Sequence, residues 1–345
     1  MAKKAKRIRV QSRLIKAKTI VDSLFDAVKP GREYESLLQV QPRQLDARAE
    51  LRRAIEAIEA IRKRPLICYL ANVIRAIEGH TGIVEADDLP FAEMVDQVGA
   101  SDSALDILIA TPGGFAHQVG KFVSHVRPRF SHVSFIIPHM AMSAGTIWAL
   151  SGDEIWMDAR GCLGPIDPQV PGKDGRLVPA QALLTFLAEI RREGEESIKQ
   201  GLQPPWTHVL LVRSIDPKEL GNVISQSVYS IEMAAGYLAS FKFKSWTNHS
   251  DGRPVTPDER VQRAGEIAGR LGSHDQWKLH SHGITRDVLW QQLKLQIDHP
   301  ETVPELEHAI RRLWAIAYWI FDNTPSAKIF ISRGYSLFRA AQGGK

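Results

Sequence analysis

One serine in this sequence, Ser143, stands between a strand-like and a helix-like stretch in PHMAMSAGTIWALSGDEI. Its neighbours at positions 141, 144 and 145 are alanine or glycine, which leaves room for a substrate backbone to approach. A serine at the start of a helix is often an N-cap that accepts an amide hydrogen bond. Beside a base and an oxyanion-binding group, the same serine is a nucleophile for acyl transfer. The residues alone leave both interpretations open.

A second candidate element is the segment ATPGGFA, in which Gly113 and Gly114 follow a strand-like run and precede a helix-like run. Glycine accepts a positive φ and lets backbone N–H groups face a ligand. The pair could form a plain turn, a phosphate site or an oxyanion hole, but its spacing matches neither the Rossmann nor the P-loop signature. Because ligand sites form where neighbouring parallel strands end, we expect this turn and Ser143 to share one crevice.

The elements that must position these residues alternate between strand and helix over residues 65–160. The apolar runs PLICYLANV, LDILIA and HVSFIIP predict buried strands, and the segments between them predict helices. This pattern predicts an α/β fold in which βαβ units surround a buried parallel sheet. A helix-type pattern also precedes this region, where Pro65 is expected to end it, and further helices are predicted over 176–240, 258–271 and 303–321.

Taken together, the motifs TPGG, AMSAGT, ALSGDEI and GPIDPQ resemble those of the serine dehydrogenase proteinase family. That family belongs to the superfamily of the Clp proteolytic subunit, signal peptide peptidase A and the crotonases. The resemblance implies a ClpP/crotonase-like spiral of βαβ units with added N- and C-terminal helices. We therefore predict a basic arm and helical extension over residues 1–64, a catalytic domain over 65–295 and a C-terminal helical extension over 296–345.

The resemblance also implies serine peptidase chemistry on a peptide or protein substrate, without a cofactor or a metal. Ser143 is then the nucleophile, and the amides of Gly114 and Ala144 form the oxyanion hole. In Clp-type relatives a histidine follows the serine by about 25 residues, and here Asp167 stands in its place. We expect Asp167 to support the geometry of the site.

The general base cannot be assigned from the sequence. Relatives of the signal-peptide-peptidase type use a lysine, but residues 174–198 contain none, and Lys173 is the nearest candidate. His139 lies four residues before the serine. His280 and His282 belong to the family-like segment SHDQWKLHSHGITRDV and could fold back to the site. Their H-x-H spacing also suits a metal, although no third ligand is evident.

Two other functions fit parts of the pattern. A crotonase-like acyl-CoA enzyme would use the same oxyanion hole for a thioester enolate, but it needs no serine at this turn. A catalytically silent assembly or adaptor module would explain the unassigned base and the basic N-terminus.

The composition, with 44% hydrophobic and 24% charged residues, is that of an ordinary globular protein. Two cysteines, Cys68 and Cys162, provide no disulfide framework, so we expect a reducing, cytoplasmic location. No apolar stretch reaches the ~18 residues of a membrane span, and we expect no such span.

The net charge of +5 is unevenly distributed, because residues 1–18 hold eight Lys or Arg and no acid. This arm would make weak contact with nucleic acid or an anionic surface, or it is a solvated tail. We also predict a homo-oligomer. Members of the superfamily assemble, and the segment LWAIAYWIF, residues 313–321, is expected to expose more apolar surface than a monomer tolerates.

Overall fold

The computed structural model describes residues 28–38, 46–75, 80–171, 177–213 and 215–341. The predictions for the basic arm over residues 1–18 and for Lys173 lie outside these ranges.

Within residues 65–160, helices separate the strands of the central sheet in the alternating order that the sequence predicts. The first part of the chain contains α1 (Glu33–Leu37), α2 (Ala47–Arg62), β1 (Leu66–Ala71), α3 (Asp88–Asp96), β2 (Ala104–Ala110), α4 (Ala116–Val126), β3 (His132–Ile137), β4 (Met140–Ala141), α5 (Ala144–Ala149), β5 (Glu154–Met157) and β6 (Cys162–Leu163). The second part contains β7 (Gln169–Pro171), β8 (Leu177–Pro179), α6 (Ala180–Lys199), α7 (Trp206–Arg213), α8 (Pro217–Tyr237), α9 (Pro257–Leu271), α10 (His274–Trp277), α11 (Arg286–Leu293), α12 (Pro304–Asn323), β9 (Ser326–Ser332) and β10 (Ser336–Ala340).

The central sheet has the strand order β10-β9-β1-β2-β3-β5. β1, β2, β3 and β5 are parallel, whereas β9 is antiparallel to β1 and β10 is antiparallel to β9. The predicted α/β class and the buried parallel sheet are therefore confirmed. β9 and β10 are strands that the sequence patterns did not predict within residues 296–345. The domain boundaries remain predictions.

Both faces of the sheet are covered, which is why its strands are continuous apolar runs. Alternate side chains of β1 point to opposite faces, so that Tyr69 packs with Phe122 and Trp148 on one side. On the other side, Cys68 and Leu70 belong to a second core that α2 and α12 cover. Helices α3, α4, α5, α8 and α9 contribute to the first core.

The predicted exposure of the LWAIAYWIF segment is wrong. In α12, Leu313, Trp314 and Ile316 are buried, as are Trp319 and Ile320 and most of their neighbours. The amphipathic helix places this stripe between the sheet and α2, where the apolar side chains are removed from water.

The end of α2 also differs slightly from the prediction. The helix ends at Arg62 because Lys63 adopts the left-handed conformation with φ 57°. Pro65 lies immediately before β1. A proline disfavours helical backbone in the residue that precedes it, so the helix cannot continue into the strand.

Exposed apolar residues are concentrated on α6, α7 and α8, which we call the helical arm. α7 buries none of its side chains against the described residues, and the side chain of Trp206 is 72% exposed. Across the described ranges, no helix combines the length and the apolar character needed to cross a membrane.

Candidate active site

Ser143 occupies a sharp turn between β4 and α5. Its φ of 51° and ψ of −118° are uncommon for a residue that carries a Cβ atom. Two backbone hydrogen bonds of 3.0 Å join the preceding strand to Thr111. The Thr111 amide donates to Met140 O, and the Met142 amide donates to Thr111 O. The Ser143 side chain makes no capping hydrogen bond within the described part of the chain. The N-cap interpretation is therefore not the arrangement observed.

The helix that follows the serine packs tightly against β4 and against the residues that follow β2 and β6. A Cβ atom on Gly145 would lie 2.4 Å from the Thr111 side chain, so only glycine fits there. The Thr146 hydroxyl accepts the Gly164 amide at 2.9 Å and lies 2.8 Å from Ala141 O. These contacts hold the turn in place from both sides.

The glycine turn lies directly against the serine. Gly113 has φ 103°, and a Cβ atom there would lie 2.7 Å from the Ser143 Cβ. Gly114 has φ 142°, and a Cβ atom there would lie 2.3 Å from both N and O of Ile83. Both positions therefore require glycine, for backbone conformation and for space.

Two backbone amides at this turn have no hydrogen-bond acceptor among the described residues. Within the described ranges, the amides of Gly114 and Ala144 donate to no protein acceptor. The neighbouring amides are engaged, since Gly113 N donates to Thr111 Oγ1 at 3.2 Å and Phe115 N donates to Ile83 O at 2.9 Å.

Gly113, Gly114, Ser143 and Ala144 line one cavity of about 580 Å³. The turn and the serine share this crevice because β2 and β3 are parallel neighbours whose carboxyl ends lie side by side. His280 lines the same cavity, although it comes from the segment that follows α10.

His280 is hydrogen bonded to Asp167. The Nδ1 atom of the imidazole lies 3.0 Å from Oδ1 of the carboxylate. Asp167 is 2% exposed, and its Oδ2 atom has no hydrogen-bond partner among the described residues. No hydrogen bond joins Ser143 to His280 in the same ranges. Ser143 and His280 therefore line one cavity, and the buried Asp167 carboxylate lies behind the imidazole as its hydrogen-bond partner.

His139 and His282 are not among the described residues that line this cavity. The His139 ring stacks on Trp314 with centroids 5.3 Å apart and lines a separate cavity of about 550 Å³. Burial lowers the pKa of His139, and Arg160 lowers it further. His282 is exposed, with its ring centroid 5.6 Å from that of Trp277.

His280 is one of the candidate bases in the sequence, but no sequence pattern distinguishes it from His282. The two differ only in their tertiary contacts, since His280 lines the cavity and is hydrogen bonded to Asp167. The described residues contain no group of three or more His, Cys, Asp or Glu arranged to hold a metal ion.

The model of one protein family, the ClpP-like SDH-type serine proteinases, matches residues 43–199. Two uncharacterized proteins of Methanocaldococcus jannaschii are 41% identical over 97 residues and 39% identical over 69 residues. These matches cover 28% and 20% of this chain, and 32% and 24% of the two relatives. The chain thus matches only about a third of the first relative and a quarter of the second.

Two solved structures are also similar in part. A variant of the 1510-N membrane-bound stomatin-specific protease is 24% identical, with a TM-score of 0.26, over 34% of this chain and 59% of that one. A probable enoyl-CoA hydratase/isomerase from Mycobacterium abscessus is 14% identical, with a TM-score of 0.24, over 72% of this chain and 85% of that one. The family match over residues 43–199 confirms the resemblance to the serine dehydrogenase proteinases and supports a serine peptidase at the level of the family.

Proposed function

We propose that this protein is a serine peptidase in which Ser143 is the nucleophile, His280 is the general base and Asp167 orients the histidine. The observation that carries the proposal is the 3.0 Å contact between Asp167 and His280 at the cavity that Ser143 lines. Of the three candidate histidines, His280 is the one that lines this cavity.

The contact with Asp167 suits His280 to act as a base. An ionised carboxylate accepts the proton of Nδ1, so the neutral imidazole keeps its lone pair on Nε2. That nitrogen can then accept the proton of the serine hydroxyl. Hydrogen bonds between nucleophile and base often tighten only in the substrate complex, so the assignment does not require a Ser143–His280 hydrogen bond in the free protein.

The reaction follows from these positions. Ser143 Oγ attacks the carbonyl carbon of a peptide bond while His280 Nε2 takes the hydroxyl proton. His280 then gives that proton to the departing amine, the C–N bond breaks, and an ester to Ser143 remains. A water molecule, deprotonated by the same histidine, attacks the ester, releases the acid product and restores Ser143.

The amides of Gly114 and Ala144 would stabilise the negative oxygen of the tetrahedral intermediate. Neither donates to another group among the described residues, so each can reach an oxyanion without first breaking a protein hydrogen bond. Donors fixed before the reaction begins avoid a reorganisation cost in the transition state. The same wall of the cavity supports a peptide substrate, since Phe115, Ile147 and Ile166 line it and would accept an apolar side chain.

A fluorophosphonate probe with Ser143→Ala and Ser230→Ala tests the proposal. Ser230 lines the same cavity and is 5% exposed, which makes it a matched control. We expect the wild type and Ser230→Ala to be labelled and Ser143→Ala to lose both labelling and peptidase activity.

Labelling that survives in Ser143→Ala would contradict the nucleophile assignment. A folded wild type that is not labelled at all would support the catalytically silent module. Turnover of an acyl-CoA thioester that persists in Ser143→Ala would support the crotonase-like enzyme.

A further inference from the structure

Lys328, on β9, is a buried cation whose ligands lie close to the glycine turn. Its side chain is 1% exposed, and its Nζ lies 2.5 Å from Gly82 O and 2.6 Å from Asp87 Oδ2. A buried ammonium is tolerated only when its charge and its hydrogen-bond donors are satisfied. Asp87 supplies the charge, and the Gly82 carbonyl supplies a second acceptor. The position of Gly82 is therefore tied to β9 and hence to the central sheet.

The Asp87 carboxylate is itself completely buried and fully engaged. Its Oδ2 also accepts the Tyr69 hydroxyl at 2.9 Å, and its Oδ1 accepts Arg339 at 2.7 Å. Tyr69 lies on β1 and Arg339 on β10, so groups from the sheet fix the carboxylate. Lys328 consequently has a rigid counterion and little freedom to move away from Gly82.

The residue after Gly82 holds both sides of the oxyanion-binding turn. Ile83 N donates to Gly113 O at 2.7 Å, and Ile83 O accepts the Phe115 amide at 2.9 Å. Gly114 lies between these two bonds, in a space where a Cβ atom would collide with the Ile83 backbone. The direction of the Gly114 amide thus depends on where Ile83 is held.

We propose that Lys328 is a positioning residue for the peptidase site: by fixing Gly82, it fixes Ile83 and so aims the Gly114 amide at the oxyanion. The inference rests on the function proposed above. It places a requirement for activity on β9, outside the family-matched residues 43–199. A displacement of about 1 Å at a reacting group can reduce the rate about a hundredfold, so a remote contact of this kind is significant for catalysis.

Arg62 provides a matched control. Its guanidinium forms a buried ion pair of 2.8 Å with Asp106, and the two side chains are 8% and 0% exposed. Asp106 lies at the start of β2 and Arg62 at the end of α2, whereas the glycine turn follows the end of β2. Arg62→Met therefore removes ion-pair contacts, with the buried Asp106 and also with Glu154 at 3.1 Å, from the end of the sheet opposite to the glycine turn.

The experiment compares Lys328→Met, Lys328→Gln and Arg62→Met with the wild type, at a temperature where each variant is folded. For Lys328→Met we expect kcat on a peptide and the fluorophosphonate labelling rate to fall about 10- to 100-fold while KM changes little. Arg62→Met should lower Tm but keep both rates within about threefold. Lys328→Gln keeps a donor for Gly82 O without the charge, and we expect an intermediate loss.

Amide hydrogen exchange gives a readout that does not depend on activity. In Lys328→Gln, the amides of Ile83 and Phe115 should exchange faster, whereas amides in the middle of β2 should keep their protection. Full activity in folded Lys328→Met, equal losses in Arg62→Met, or unchanged exchange at Ile83 and Phe115 would each overturn the positioning role. A wild type that shows no labelling at Ser143, with the exchange result intact, would instead contradict the proposed function.

Discussion

Asp167 and His280 are 113 positions apart in the chain, and their side chains meet at a distance of 3.0 Å between Oδ1 and Nδ1. Asp167 follows β6, and His280 follows α10. A backbone hydrogen bond pair between Leu163 and Ile284, of 3.0 and 2.8 Å, joins the two segments beside this contact. The carboxylate is thus delivered by the family-matched region and the imidazole by the chain that follows it.

Replacing His280 with alanine should reduce peptidase activity sharply while the protein stays folded. General acid–base catalysis contributes about 10²- to 10⁴-fold to a rate, and we expect kcat to fall by that order. Steady-state kinetics on a peptide substrate measure the loss.

Asp167→Asn should also lower kcat, because an amide N–H facing Nδ1 would leave the imidazole proton on Nε2 and block base catalysis.

His282→Ala is the control for His280→Ala, because His282 is exposed and lies against Trp277 rather than in the cavity. It should keep wild-type kinetics. Loss of activity in His282→Ala together with retention in His280→Ala would reverse the assignment of the base.

Gly114→Ala should impair catalysis more than binding. The added Cβ would lie 2.3 Å from Ile83 N and O, so the turn must shift and the amide must move with it. Loss of an oxyanion donor costs about 10²- to 10³-fold in kcat, and we expect a decrease of this size with little change in KM. Gly252→Ala is the comparison variant. Gly252 also has a positive φ, of 85°, but no described atom lies within 4 Å of the place that an added Cβ would occupy.

Equal kinetic losses in the two glycine variants would attribute the effect to backbone strain in general. That result would remove the evidence for an oxyanion hole at Gly114.

We expect the Glu154 carboxylate to contribute to the pH dependence of the protein's stability. Burial acts to raise the pKa of this carboxyl, but hydrogen bonds from Trp156, Ser134 and Arg62 outweigh burial and lower the pKa from 4.5 to about 2. A carboxyl whose pKa is lower in the folded state contributes stability above its unfolded pKa and loses it as the pH falls. This contribution should therefore disappear between about pH 4.5 and about pH 2. Tm measured by circular dichroism across this range checks it.

Glu154→Gln should be less stable than the wild type near neutral pH but should show a flatter decrease of Tm below about pH 4.5. Parallel Tm curves for the two proteins would show that Glu154 is not the source of the effect. Glu189→Gln, at an exposed position on α6, controls for the change in net charge.

The helical arm makes self-association testable. Trp206, Leu210 and Val212 are 72%, 55% and 50% exposed, and such a concentration of apolar surface favours a protein interface. We predict a homo-oligomer by light scattering and a smaller assembly for Leu210→Asp. Val261→Asp, on α9, changes an equally exposed apolar residue outside the arm and should leave the assembly unchanged. A mass of 38.5 kDa, that of one chain, across micromolar concentrations would contradict the prediction.

Local patterns in the sequence were enough to predict the α/β class and the position of Ser143 between a strand and a helix. Apolar runs of strand length, separated by segments of helical periodicity, indicate strands that are buried on both faces of a sheet. The pattern is visible in the sequence because side-chain direction repeats about every two residues in a strand and about every 3.6 residues in a helix. The glycines at 113 and 114 likewise predict a turn, because few other residues accept a positive φ.

The partner of Asp167 and the place of β9 beside β1 were decided only by the tertiary structure. Nothing in the spacing of His280 and His282 tells which of them faces a carboxylate, since that depends on how the chain after α9 packs. The same holds for Lys328, whose strand carries no mark of the contact with Gly82, 246 positions earlier. Such pairings arise from the packing of the whole core, because a contact between distant positions leaves no periodic signal in the residues that make it.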